Sequence, residues 1–228
     1  MEILYEDNHI IIVNKAAGEI VQGDKTGDEP LVETLKRFIK ERDNKPGQVF
    51  MGVVHRLDRP VSGVVVFAKT SKALSRLNAM FASGDMHKTY WAVTRNKPAK
   101  ESDTLTGYIT SVERNNKSYV WAEPRPGAKE ARLSYRLIAS GERYSLLEVN
   151  LMTGRKHQIR VQLSSIGCPV KGDLKYGDKR SNPDGSISLH ARRIHFIHPV
   201  SKIEIDVTAP VPQYDNLWRA LEDAATQA

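Results

Sequence analysis

The chain has 228 residues, with 34 lysines and arginines against 27 aspartates and glutamates, a formal charge of +7, and one cysteine, Cys168. That length supports a sizeable core; no run is apolar enough to span a membrane, and Met1-Glu2-Ile3-Leu4-Tyr5-Glu6-Asp7 carries acid where a secretory signal carries base. A lone cysteine excludes an intrachain disulfide and a thiolate metal site and fits a reducing cytoplasm, while the positive charge favours a polyanionic partner.

Ile10-Ile11-Ile12-Val13 reads as a short buried strand, with Asn14-Lys15-Ala16-Ala17-Gly18 as its exit loop. Leu31, Leu35, Phe38 and Ile39 recur at helical spacing after Pro30, and Pro46-Gly47 close that helix. Val64 to Ala68 is an unbroken apolar run, hence a buried strand, entered through the turn residues Pro60, Ser62 and Gly63. Ser71 is the expected N-cap of the next helix, whose apolar face is Leu74, Leu77, Met80 and Phe81 and whose stop is Gly84.

Five strands follow, at 89–94, 104–110, 119–123, 131–138 and 145–152. They are rich in β-branched and aromatic residues and separated by Gly, Pro, Asn and Ser, so successive strands are expected to pair antiparallel. Thr153-Gly154 opens a helix carrying Ile159, Leu163 and Ile166, which ends at Gly167-Cys168-Pro169. Two more strands, 194–197 and 203–207, precede a C-terminal helix marked by Leu217, Trp218 and Leu221. The expected fold is α+β, a largely antiparallel mixed sheet with flanking helices, in one domain over residues 1–228. The first strand starts so early that no separate N-terminal module is expected.

Charge is unevenly placed. Between Arg155 and Lys202 stand ten lysines and arginines against Asp173, Asp178 and Asp184, whereas the segment from Asp206 onward is slightly acidic. Such clustering suits a phosphate-facing surface and points to nucleic acid. No Gly-rich phosphate loop occurs, which argues against nucleotide-cofactor chemistry. His190, His195 and His198 have no cysteine to support a metal site, and Ser62 lacks the G-x-S-x-G context of a hydrolase nucleophile.

What remains is Asp58, between Arg56 and Arg59 on a short loop feeding the Val64–Ala68 strand. Read alone, it is a surface acid paired with Arg56 or Arg59. A carboxylate can also serve as a nucleophile if it stays ionised while shielded from water, which requires a fixed cation nearby. Arginine suits that task, and Arg160, on the helix that also bears His157 and Gln158, is the candidate.

Three separated stretches resemble the signatures of RluA-type pseudouridine synthases: His55-Arg56-Leu57-Asp58-x-x-x-Ser62-Gly63, Lys88-Thr89-Tyr90-x-Ala92-Val93, and Thr153-Gly154-Arg155-x-His157-Gln158-Ile159-Arg160-Val161-x-Leu163. Gly167-x-Pro169-Val170-x-Gly172-Asp173-x-x-Tyr176-Gly177 and Leu189-His190-Ala191…His198-Pro199 also look like family segments, in the family's order. The resemblance implies the pseudouridine synthase fold with a central catalytic cleft. It implies an isomerase that converts a uridine in structured RNA, ribosomal or transfer, to pseudouridine, without cofactor or metal. Asp58 would be the nucleophile, attacking either ribose C1′ or the uracil ring. Tyr90 would stack on the target base, and Arg160 would pair with Asp58. Arg56 would fill the place of the flipped nucleotide. His55, Lys88, Arg155, His157 and Gln158 would be RNA contacts.

Val61, Lys156, Gln162 and Cys168 depart from the usual family residues, which bears on loop hydrogen bonding rather than on the reaction. A compact cytoplasmic enzyme, monomeric by default, is expected. An RNA-binding factor without chemistry and a metal-dependent hydrolase are the competing readings.

Overall fold

Two antiparallel strands open the chain, β1 (Glu2–Glu6) and β2 (Ile10–Lys15). β1 carries no solid apolar run and is at most half-buried, so hydrophobic pattern begins only at Ile10. The Asp7 carboxylate closes the turn between them, accepting from the His9 and Ile10 amides at 2.7 and 2.8 Å. Helix α1 (Leu31–Arg42) follows Pro30 and buries Leu31, Val32, Leu35 and Ile39. A two-residue strand β3 (Gly52–Val53) and strand β4 (Ser62–Ala68) come next, and β4 pairs antiparallel with both β2 and β3. Every residue of β4 is buried, as its continuous apolar run requires.

Helix α2 (Ser71–Ser83) is capped by Thr70, one residue earlier than the expected Ser71. Thr70 has an extended backbone and its Oγ1 accepts from the Ala73 amide at 3.1 Å, while Ser71 is already helical. Gly84 ends the helix in the left-handed conformation, as expected. Ala73 and Leu77 pack with Ile10, Ile12, Val64 and Val66, and Phe196 and Ile205 from later strands join this core.

Strands β5 (His87–Thr94), β6 (Ser102–Val112), β7 (Lys117–Trp121), β8 (Lys129–Ser140) and β9 (Ser145–Leu151) form an antiparallel sheet in the order β5-β9-β8-β6-β7. Helix α3 spans Gln158–Ser165. It begins four residues after the expected Thr153-Gly154 opening, because Gln158 folds the preceding segment into a turn: its Oε1 accepts from Thr153 Oγ1 and the Arg155 amide at 2.8 and 3.0 Å. Val161 of α3 packs with Ile109, Ala131 and Tyr176.

Strands β10 (Leu189–Ile197) and β11 (Glu204–Thr208) pair antiparallel, with buried His198 in the connection accepting from the Val200 and Ser201 amides. Helix α4 (Asn216–Thr226) is capped by Asp215 and buries Trp218 and Leu221. The α+β expectation holds. The structure, a computed structural model, describes residues 1–24 and 26–227, and no helix in them is long and apolar enough to cross a membrane. The chain divides into two units, Met1–Met86 with Arg193–Pro210, and His87–Arg192 with the chain from Val211 onward.

One glycine is demanded by close packing. Gly172 has φ +88, and a Cβ there would lie 2.8 Å from the Ser186 carbonyl oxygen and 2.9 Å from the Asn182 side chain. Both the backbone conformation and the contact exclude a side chain. Gly172→Ala is expected to lower the unfolding free energy by about 2–4 kcal/mol, read from urea midpoints at an unchanged m-value. A loss below about 1 kcal/mol would show that the loop relaxes around the methyl group.

Candidate active site

In the first unit the loop between β3 and β4 carries Asp58, and its backbone is tied down on both sides. β3 stops after Val53, and a side chain then takes over the pairing: the Val66 amide donates to His55 Nε2 at 3.0 Å. That nitrogen is therefore unprotonated. The ring also stacks on Phe81 with centroids 4.8 Å apart. Leu57 and Val61 are buried, whereas Asp58 is half-buried and Arg56 exposed. The Val61 amide donates to the Asp58 carbonyl at 3.0 Å, and the Gly18 amide to the Arg59 carbonyl at 2.8 Å. Arg59 pairs with Asp28, so it is engaged elsewhere than on Asp58.

The strongest constraint on this loop is Lys15, a residue the sequence presents only as part of an exit loop. Lys15 is 1 % exposed. Its ammonium donates to the carbonyls of Ala16 at 2.9 Å, Arg59 at 3.2 Å and Val61 at 2.7 Å. Three donors thus meet three acceptors, two of which flank the Asp58 turn. Burial pushes its pKa down to about 8, against the opposing pull of the Glu19 and Asp58 carboxylates.

In the second unit, Tyr90 lies on β5, buried, opposite Val149. Lys88 is two residues earlier on the same face, and burial lowers its pKa. A Cβ on Gly154 would come within 3.8 Å of the Lys88 ammonium, so this glycine lies beside it. Arg155 is half-exposed, and its Nε donates to the Glu130 carbonyl at 2.7 Å. Gln158 is 3 % exposed, with Nε2 donating to the Arg132 carbonyl in addition to the two bonds its oxygen accepts. His157, also buried and in the left-handed conformation, has Nδ1 2.8 Å from the Tyr176 hydroxyl.

Arg160 is 6 % exposed and makes a forked pair with Asp173, Nε to Oδ2 at 2.7 Å and Nη2 to Oδ1 at 3.0 Å. Its guanidinium carbon lies 5.0 Å from the Tyr176 ring centre. The Tyr176 hydroxyl also accepts from the Ser118 amide at 2.8 Å, and Ser118 Oγ donates to the Lys156 carbonyl. Asp173 and Tyr176 were visible as Gly172-Asp173-x-x-Tyr176-Gly177, but nothing in that string names Arg160 as their partner. Gln162 is buried and bonds the Leu105 carbonyl at 3.2 Å, Val61 and Cys168 are buried, and Lys156 is exposed.

Residues 9–165 match the model of the RNA pseudouridylate synthase family. The chain belongs to that family. It is 33% identical over 242 residues to the tRNA pseudouridine synthase C of Vibrio vulnificus, covering 97% of this chain and 94% of that protein. It is 34% identical over 223 residues to the ribosomal large subunit pseudouridine synthase D of Zymomonas mobilis, covering 93% and 70%. The structure titled Human RNA Pseudouridylate Synthase Domain Containing 4 superposes with a TM-score of 0.79 at 23% identity, covering 99% and 93%, which shows the shared fold. The RluA-type resemblance is borne out, and this pseudouridine synthase isomerises uridine in RNA.

The buried ammonium of this pseudouridine synthase has a measurable signature. Folded Lys15 releases its proton near pH 8, whereas the unfolded chain holds it to about 10.5. Between those values the unfolded state binds more protons, so rising pH stabilises the fold relative to a chain lacking the group. Lys15→Met removes that titration. The difference in unfolding free energy, wild type minus Lys15→Met, is expected to rise by up to about 3 kcal/mol between pH 8 and 10.5. A difference that stays flat across the window would refute the lowered pKa.

Proposed function

We propose that Asp58 is the nucleophile of this pseudouridine synthase and that its RNA is a structured ribosomal or transfer RNA. The observation that carries the reading is the immobilised Asp58 loop. Buried Lys15 holds the carbonyls of Arg59 and Val61, and His55 holds the Val66 amide, so the backbone that presents the carboxylate is hydrogen-bonded on both sides. The first family signature falls on this loop, and the names of the relatives supply the two RNA classes.

Isomerisation breaks the N1–C1′ bond, turns the uracil, and joins C5 to C1′ with loss of the C5 proton. Attack of the Asp58 carboxylate on C1′ releases the base, and attack on the ring frees it to turn; both return the carboxylate unchanged, so no co-reactant is needed. The target must leave its stack before a carboxylate on a protein loop can reach it, and exposed Arg56 beside Asp58 has the length to occupy the vacated place. Tyr90 stacks on the detached uracil. Arg160, clamped by Asp173, supplies a positive charge that cannot be lost to deprotonation. Lys88 and Arg155 face phosphates, while the internal bonds of His55, His157 and Gln158 support a role in shaping the loops that meet RNA.

The family match runs across both units, which supports one catalytic domain. The lone buried cysteine is consistent with a cytoplasmic enzyme.

Asp58→Asn removes the nucleophile and no positive charge. Tritium release from RNA labelled at uracil C5 should fall by at least about 10⁴-fold, with the RNA dissociation constant within about threefold of wild type. Persistent release would exclude Asp58, and an equal loss of binding would make it an RNA contact instead. Binding should also weaken steeply between 50 and 200 mM salt, roughly a hundredfold or more, because phosphate contacts release counterions. A flat salt response would contradict a basic phosphate-binding face.

A further inference from the structure

The sheet of the second unit uses its two faces differently. Ala131, Leu133, Tyr135, Val149 and Tyr90 are buried on the face that receives α3. On the opposite face, α4 covers one end by packing Trp218 and Leu221 with Trp91, Ile138 and Leu146. The other end, over β6 and β7, stays open to solvent. Register pairs Tyr108 with Trp121 and Thr110 with Tyr119, so Tyr108, Tyr119 and Trp121 share that open face, all three half-exposed. Trp91 packs with Trp218 and Leu221, whereas these three rings keep part of their surface in water.

The rings are held and interleaved with charge. Trp121 Nε1 donates to Thr110 Oγ1 at 3.1 Å, which fixes the plane of the indole. The Arg125 guanidinium carbon lies 3.5 Å from the centre of that ring, a stacked cation from the β7–β8 loop. The Lys117 ammonium lies 5.8 Å from the Tyr119 ring centre and 5.6 Å from that of Tyr176, at the outer edge of β7. Arg132 is exposed on the neighbouring strand β8. Elsewhere Arg37, Arg42, Arg59, Arg136 and Arg193 each sit on a carboxylate. Among the described residues Lys117, Arg125 and Arg132 make no such pair. Unneutralised cations between fixed aromatic rings call for a partner with both negative charge and flat apolar faces. A duplex hides its base faces, and an acidic peptide offers flat faces only at scattered aromatic residues, not beside every charge. A single nucleic-acid strand offers both.

We propose that the open face of β6 and β7, with Tyr108, Tyr119 and Trp121 as stacking surfaces and Lys117, Arg125 and Arg132 as phosphate contacts, binds a single-stranded segment of the RNA substrate. It lies on the sheet face opposite Tyr90, so it grips nucleotides other than the reacting uridine. The binding itself does not depend on the role of Asp58, and only the separation from the reacting uridine rests on the role proposed for Tyr90.

The test measures binding of the full chain to a labelled oligouridylate and to an RNA duplex of the same length. Tyr119→Ala and Trp121→Ala should each weaken oligouridylate binding by about tenfold, the loss expected for one stacked base, with Trp121→Phe retaining most of the affinity. Duplex binding should change by less than about twofold in all three. Thermal unfolding separates folding defects from binding, and Tyr108→Ala serves in place of Trp121→Ala if that variant is unstable. Unchanged oligouridylate affinity overturns the proposal. So does an equal loss for single strand and duplex, which would mean charge without stacking. Tighter binding of an acidic peptide than of oligouridylate, lost in the same variants, would assign the face to a protein partner and overturn it as well.

Discussion

A single buried ammonium group organises the loop on which this enzyme's chemistry is proposed to depend. Lys15 has left water almost completely, and it remains a cation at neutral pH because its three protons each find a carbonyl oxygen. A charge in such surroundings needs every one of those acceptors, since an unmet proton in a low-dielectric interior is expensive. The dependence runs the other way as well. Two of the acceptors belong to Arg59 and Val61, so the ammonium stays charged only while the Asp58 turn keeps its shape. Charge and loop geometry are one cooperative unit.

The second unit repeats the logic with opposite chemistry. Arg160 is fixed by a carboxylate fork rather than by carbonyls, and Asp173 reaches it from a turn whose entry depends on the left-handed Gly172. Tyr176, three residues on, lies beneath the guanidinium. Two buried cations are thus each immobilised before any RNA arrives. In the proposed mechanism the charge of Arg160 is therefore preorganised and needs no reorganisation during the reaction, which is where enzymes gain most over water.

Much of this was readable from the residues, and the rest was hidden for identifiable reasons. Val64 to Ala68, the five strands from β5 to β9 and the stop at Gly84 follow from local pattern, which is where periodicity and glycine chemistry are strongest. The Asp58 loop was legible because its signature is contiguous. Lys15 was not: a lysine at the end of an apolar strand reads as the point where the chain meets solvent, and only the fold returns carbonyls 44 and 46 residues away to its ammonium. The pairing of Arg160 with Asp173 was hidden in the same way, by a partner 13 residues off in a glycine-bounded turn. The late start of α3 came from Gln158, whose side chain satisfies Thr153 and the Arg155 amide and so competes with helix.

Tyr176 has a second consequence. β7 is the last strand in the order of its sheet, and an edge strand presents unpaired amides that another chain can pair with. The Tyr176 hydroxyl takes one of them, the Ser118 amide, and the Lys156 carbonyl takes the Ser118 hydroxyl. The residue that supports Arg160 therefore also blunts a site for strand-to-strand aggregation. A chain that lost the ring would leave the Ser118 amide of this edge strand open to pairing and the Arg160 guanidinium without its aromatic neighbour.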